Sequence, residues 1–230
     1  MMNLAKVSDV IEAQQEVYDA LSRNLKAILN ATLKKVTVQI DSEDLTALKE
    51  NGFRLCFAKK VGDNDYNVVW QSYKDFNMYN EFSWQPMYQM FITNTFKSGV
   101  TVKVSSNTVG IGLGECTTVD EVGLLSTPIS GGDKSSLNLE NDYQKTHVGI
   151  SQQAIDLKGA MVSNPIYVSE EEFMKGSAQF KPVEKVLIWF EKNVETSTMF
   201  ADMRSNSYEV DLTLEDEITV QYKDEEWSIV

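Results

Sequence analysis

The spacing of apolar and polar residues changes once along this chain, near residue 34. Before that point Val7, Val10, Ile11, Val17, Tyr18, Leu21, Leu25, Ile28 and Leu29 recur at helical intervals. Ser8 is placed to cap the first turn, Asp9 and Glu12 suit its dipole, and Asp19 and Arg23 stand four apart in the favourable order. No Gly or Pro interrupts the stripe. The pattern predicts one amphipathic helix over residues 8 to about 33, about 39 Å long. After residue 34 the period becomes 2. Val36, Val38 and Ile40 share one face, as do Phe53, Leu55 and Phe57, then Val100, Val102 and Val104. Residues 185–192, KVLIWFEK, are apolar on both faces, which fits a strand between two packed layers. Near the end Val210, Leu212 and Leu214 alternate cleanly, followed by Ile218, Val220 and Tyr222.

Roughly a dozen short strands and one long helix predict a mainly β protein, an antiparallel β-sandwich preceded by the amphipathic helix. The division is residues 1–34 for the helix and 35–230 for a single β-sandwich domain. Between the clear strands the reading is softer. Residues 41–52 form a turn-rich stretch with room for one helical turn, ended by Asn51-Gly52. Lys97-Ser98-Gly99 reads as a hairpin turn into the strand at 100–106. Residues 126–138 read as a long loop, and 142–182 as short strands near HVGIS, AIDLK, NPIYVS and AQFK. The intervening SEEEFMKG reads as a solvated acidic turn.

One stretch departs from even patterning. Ten of the 23 Phe, Trp and Tyr residues fall within residues 66–96. A density this high makes a core, a binding surface, or both. Its ends, DYNVVW and WQPMYQMFIT, read as strands, and the polar middle, KDFNMYNE, reads as a loop. Trp70 and the strand aromatics suit a core. Tyr73, Phe76, Tyr79 and Phe82, beside Lys74, Asn77 and Asn80, suit a surface, since loops run over the outside of a domain. With Trp84 and Tyr88 they form the candidate ligand- or membrane-binding set. Amphipathic rings of this kind sit at membrane interfaces, stack on sugars and anchor protein interfaces.

Charge removes one class of partner. The net charge is −13, and residues 1–40 carry five Lys/Arg against four Asp/Glu, leaving −14 on the other 190 positions. A nucleic-acid binder needs a basic face for the phosphates, so no nucleic-acid partner is expected. No apolar run approaches the roughly 18–20 residues that span a bilayer. The first residues lack the apolar core and cleavage site of a signal peptide, so synthesis in the cytoplasm is expected. Two cysteines, Cys56 and Cys116, are too few for a disulfide framework and read as reduced thiols in strands.

Candidate chemistry is sparse. A single His147 excludes His-rich metal sites and leaves one imidazole as a general base. No Ser occupies a G-x-S-x-G elbow. Gly110, Gly112 and Gly114 alternate, but a dinucleotide or phosphate loop needs a helix after its glycines, and residues 115–120 are β-like. A bent or closely packed strand is the better reading. Asp63, Asn64 and Asp65 lack the spacing of a calcium loop and read as a turn. No catalytic residue, metal or cofactor is expected.

A long amphipathic N-terminal helix ahead of an aromatic-rich β-sandwich is similar in layout to the actinoporin-like cytolysins. The resemblance implies a helix that leaves the body to enter the bilayer and aromatic loops that hold lipid headgroups. This chain is longer than that compact family and acidic where the family is basic, and no motif residue carries over. The expectation is a non-enzymatic, membrane-active, pore-forming protein, released to act on target membranes, that contacts a lipid membrane or cell-surface receptor through the aromatic set. The alternatives are a lectin-like glycan-binding module and an assembly subunit whose helix builds a homo-oligomer.

Overall fold

The computed structural model describes residues 33–63, 65–202 and 204–230. The helix expected over residues 8–33 therefore lies outside the described residues, apart from Leu33. The first half of the chain forms β1 (Lys34–Ile40), α1 (Ser42–Glu50), β2 (Phe53–Val61), β3 (Gln71–Tyr73), β4 (Tyr79–Thr93), β5 (Val109–Ile111), β6 (Glu115–Val119) and β7 (Ile129–Ser130). The second half forms β8 (Leu137–Asn141), β9 (His147–Ile155), β10 (Met161–Val168), β11 (Gly176–Phe180), β12 (Pro182–Lys192), β13 (Tyr208–Asp211), β14 (Glu217–Lys223) and β15 (Glu226–Ile229). The protein is mainly β.

These strands make three sheets. The largest has seven strands in the order β10-β9-β4-β1-β14-β15, with β5 also paired to β4. The two four-stranded sheets run β11-β8-β6-β7 and β13-β12-β2-β3. Pairing is antiparallel except at β1 with β14 and β6 with β8, which are parallel. Parallel neighbours need a crossover, and here the two β1–β14 partners lie at opposite ends of the described chain.

The alternation read from the sequence explains the packing. Val36, Val38 and Ile40 of β1 point inward with Leu55 and Phe57 of β2 and Val186 and Ile188 of β12, all in one continuous core. The opposite face of β12 places Leu187 and Trp189 in a second cluster with Cys56, Ala58, Val69 and Phe200. Both faces of β12 are thus covered, as its two-sided apolar pattern anticipated. The third sheet adds Val119, Leu137, Leu139 and Ala178 to the main core.

Three local readings need correction. Residues 42–50 form a nine-residue helix rather than one turn, because Asp41 caps it by accepting from the Glu43 amide at 3.0 Å. Acidic Glu43 and Asp44 lie in its first turn and Lys49 in its last, which suits the dipole. Residues 100–106 are not a strand. Their amides and carbonyls are met piecemeal, Val102 donating to Ser197 at 2.9 Å and Ser105 to Ile92 at 2.9 Å, while Val100 and Val102 pack on Val68 and Phe91. Residues 126–138 include β7 and the start of β8, so the long loop is shorter than its composition suggests. The Gly110-Gly112-Gly114 strip belongs to β5 and a turn into β6, with no helix after it.

Candidate functional site

The six candidate aromatics do not share a surface. Strand β4 starts at Tyr79, inside the expected loop, because the Asn80 side chain donates to the Asn77 and Val38 carbonyls and accepts from the Asn77 amide. From there period 2 sends alternate side chains inward. Phe82, Trp84 and Tyr88 are buried, and so is Phe76, whose ring lies 5.6 Å from that of Phe190. Tyr73 is half-buried, edge-on to Phe57 at 6.1 Å. Only Tyr79 stands clear, 67% exposed. Buried rings cannot touch lipid or sugar without unfolding the strand that carries them, so the folded chain presents no six-residue aromatic face.

These rings build a sealed block. Phe82 lies 4.5 Å from Phe57 and 4.9 Å from Trp70, and Trp70 lies 5.6 Å from Trp84. Inside the block Lys59 is fully buried, its Nζ 2.6 Å from Glu184 Oε2 and 4.7 Å above the Trp84 ring. The Trp84 indole N–H donates to the same Glu184 oxygen at 2.7 Å. Burial pushes the Lys59 amine down to about 8, against the opposing pull of the Glu184 carboxylate. Burial also raises the Tyr88 phenol well above its ordinary range, with Glu184 adding to the effect.

The reactive side chains are quiet. Cys56 is buried, and desolvation pushes its thiol up to about 12, so it holds its proton at neutral pH. Cys116 is a half-buried free thiol in β6. His147 is 9% exposed, and its Nδ1 sits 2.7 Å from the Ser169 carbonyl, a bond that fixes Nδ1 as the donor. Neither thiol touches it: Cys56 Sγ contacts Arg54 and Ser72, and Cys116 Sγ contacts Thr117.

A separate cleft lies away from these residues. It has a volume of about 550 Å³ and joins two stretches that are a hundred positions apart. Asp63, Asp65 and Asn67 come from the segment after β2; Tyr167, Glu170, Glu171 and Phe173 come from the end of β10 and the turn beyond it. Phe180, in β11, completes an aromatic wall, 5.9 Å from Tyr167 and 5.5 Å from Phe173. The two sides are tied together by Asn67, whose Nδ2 donates to the Val168 carbonyl at 2.6 Å. Ser169 is pinned by its amide, which donates to the Val148 carbonyl at 2.8 Å, and by its hydroxyl, which accepts from the Val148 amide at 2.8 Å. Phe173 is held by a two-way backbone bridge with Thr146.

Four carboxylates thus face one concavity whose lining contains no Lys, Arg or His. None of the four forms an ion pair with a described residue. Burial raises the Tyr167 phenol, and the Glu170 charge raises it further, so the ring stays neutral. Among the described residues no group of three or more His, Cys, Asp or Glu is placed to hold a metal ion. The four carboxylates are thus not grouped as metal ligands are, and all four residues are exposed. Among the described residues, also, no helix is long and apolar enough to cross a membrane.

The carboxylates of the cleft lie in stretches whose composition reads as turns, and Asn67, Tyr167 and Phe180 in stretches that read as strands. Two acidic runs, at 63–65 and 170–172, each abut an aromatic residue, which is the one signal that could have marked them. Nothing local says that the two runs meet. Comparison with known proteins adds no relative: no family model matches, nor does any curated protein or solved structure.

Proposed function

We propose that this chain is a non-enzymatic binding protein, its sheets arranged as a β-sandwich, that captures a cationic ligand bearing amine or guanidinium groups. The observation that carries the reading is the lining of the 550 Å³ cleft: four carboxylates, an aromatic wall and no basic side chain. Four like charges around one concavity repel one another and focus a negative potential into it. An extended cation relieves that repulsion while its methylenes or its charge lie against Tyr167, Phe173 and Phe180. Because the carboxylates are not grouped as metal ligands are, they suit several charges along a flexible chain better than one metal ion.

The membrane-active expectation keeps little of its surface, since Tyr79 and half-buried Tyr73 are what remain outside the core. The lectin-like alternative shares the cleft, because carboxylates, amides and rings also bind sugars. The two differ in their response to charge. Calorimetric titration with spermine and with arginine amide, beside a panel of neutral oligosaccharides, separates them. The expected result is amine binding that weakens steeply as salt rises. Saccharide binding without amine binding would transfer the cleft to the lectin-like reading. Release of vesicle contents by the full chain, with no amine binding, would restore the membrane reading.

A further inference from the structure

A second concavity, smaller and apolar, sits at the point where the described chain begins. Leu33, Trp84, Ala154, Ile155 and Met161 line a groove of about 160 Å³. It lies at one end of the seven-stranded sheet, where Met161 of β10 pairs with Ile155 of β9, and Ala154 pairs with Trp84 of β4. Period 2 places Ile155, Met161 and Leu33 on the outer face of that sheet, together with Lys35, Thr37 and Gln39 of β1. Next to the groove that face carries the polar Lys35, Ser83 and Ser163. Leu33 is 40% exposed, Ile155 36% and Met161 69%, so three large apolar side chains stand together in water at this corner. An apolar cavity of this size takes one or two hydrocarbon side chains rather than water.

We propose that the groove is the docking site of this chain's own N-terminal segment, with Leu25 and Leu29 of the apolar stripe, four apart like Leu29 and Leu33, as the side chains that fill it. Three observations favour this occupant. The first is reach: Leu33 is itself a wall of the groove, and Leu29 is four residues upstream, so its Cα lies within roughly 14 Å whatever the path between them. A tether that short gives the segment a high effective concentration, far above that of a second copy in dilute solution. The second is pattern: the stripe is the one long apolar face in the sequence outside the described core, and an amphipathic face needs an apolar partner. The third is charge: residues 21–32 hold Arg23 and Lys26 and no carboxylate, while the body carries the chain's negative excess. Glu81 and Glu217, both exposed beside Lys35 on that outer face, are counter-charges for them. The inference is independent of what the acidic cleft binds.

The test uses the full chain with a nitroxide at Ser163→Cys, in a Cys116→Ser background. Ser163 is exposed on the same face as Met161, two positions along β10, so the label stands beside the groove without filling it. The expected result is that amide resonances of residues 24–32 lose most of their intensity in the labelled, isotope-enriched chain. They keep it when an unlabelled-isotope spin-labelled chain is mixed with an enriched, label-free one. Met161→Asp, at a position exposed enough to leave the fold intact by circular dichroism, restores the lost intensity. Broadening that appears in the mixed sample transfers the groove to the segment of a second copy and overturns the proposal. Absence of broadening in either sample overturns it as well.

Discussion

Two aromatic blocks in this protein treat charge in opposite ways. Around Trp84 a lysine is enclosed beside the rings and has its partner in a half-buried glutamate: Lys59 and the Trp84 N–H share Glu184 Oε2 at 2.6 and 2.7 Å. Around Phe180 the rings form one wall of an open cleft, and its four carboxylates have no counter-charge in the lining. A buried charge needs a partner inside the fold, since desolvation is otherwise prohibitive. A rim charge has water, and can wait for a partner from outside. The contrast separates a charge pair that belongs to stability from charges that face solvent.

Breaking the sealed block gives the largest expected effect. Phe82→Ala removes a fully buried ring between Phe57 and Trp70 and lowers stability by about 3–5 kcal/mol, whereas Tyr79→Ala, three positions earlier on the outer face, stays within about 0.5 kcal/mol. Urea unfolding of the two variants measures the difference. Equal losses would mean that the strand register at β4 is wrong.

Next is the ion pair. Glu184→Leu strands Lys59 and leaves the Trp84 indole without its acceptor. Glu184 is 24% exposed, so water softens the loss to about 2–3 kcal/mol, below the range for a fully enclosed pair. Glu184 is not among the residues that line the cleft, so amine binding there is expected to survive in the folded fraction.

The same lysine predicts a pH effect of intermediate size. Its folded pKa, about 8, lies below the ordinary value of 10.5, so between those limits the unfolded chain holds the proton and the folded chain does not. Stability attributable to Lys59 therefore rises with pH through that window, by about 1–2 kcal/mol between pH 8 and 9.5. Above about pH 10 the buried phenols act the other way: Tyr88 and Tyr167 have raised folded pKa values and keep protons that the unfolded chain gives up. Thermal melts from pH 7 to 9.5 test this. The rise is expected in the natural chain and absent from Lys59→Met.

The smallest structural effect belongs to the cleft. The double variant Glu170→Gln/Glu171→Gln changes stability by no more than about 0.5 kcal/mol, and weakens amine binding about tenfold at low salt. A stability loss on the scale of Glu184→Leu would show that the rim carboxylates are part of the fold after all.

Much of the framework was legible in the sequence, and the reason is local. β1 alternates because Val36, Val38 and Ile40 are buried on one face, β14 buries Val220 and Tyr222 on one face, and β12 is apolar on both faces because both are covered at 186–189; each pattern is visible residue by residue. The helix α1 was underestimated because Leu45 and Leu48 are its only core-facing leucines, too few for a strong stripe; its capping by Asp41 was the better signal. The strand expected at 100–106 has the right pattern and no partner strand, since the segment it faces, at 197–199, is itself irregular. The aromatic stretch was read as half surface because Asn77, Asn80 and Lys74 looked like loop residues. Asn80 is instead 4% exposed, with its polar atoms spent on backbone groups. The acidic cleft is illegible in the sequence, because its halves meet through long-range contacts such as Asn67 with Val168 and Val68 with Val168.

The parallel pairing of β1 with β14 also bears on how this protein is made. β1 finds its antiparallel partner β4 soon after leaving the ribosome, but its other edge must wait until residues 217–223 have been translated. Synthesis of positions 41–216 takes roughly 10–35 seconds at cellular rates. Throughout that interval Val36, Val38 and Ile40 belong to an unfinished sheet with a bare edge, open to pairing with neighbouring chains. β14 therefore covers this edge of β1 only late in synthesis, and a chain stalled before residue 217 is left with that border unpaired by β14.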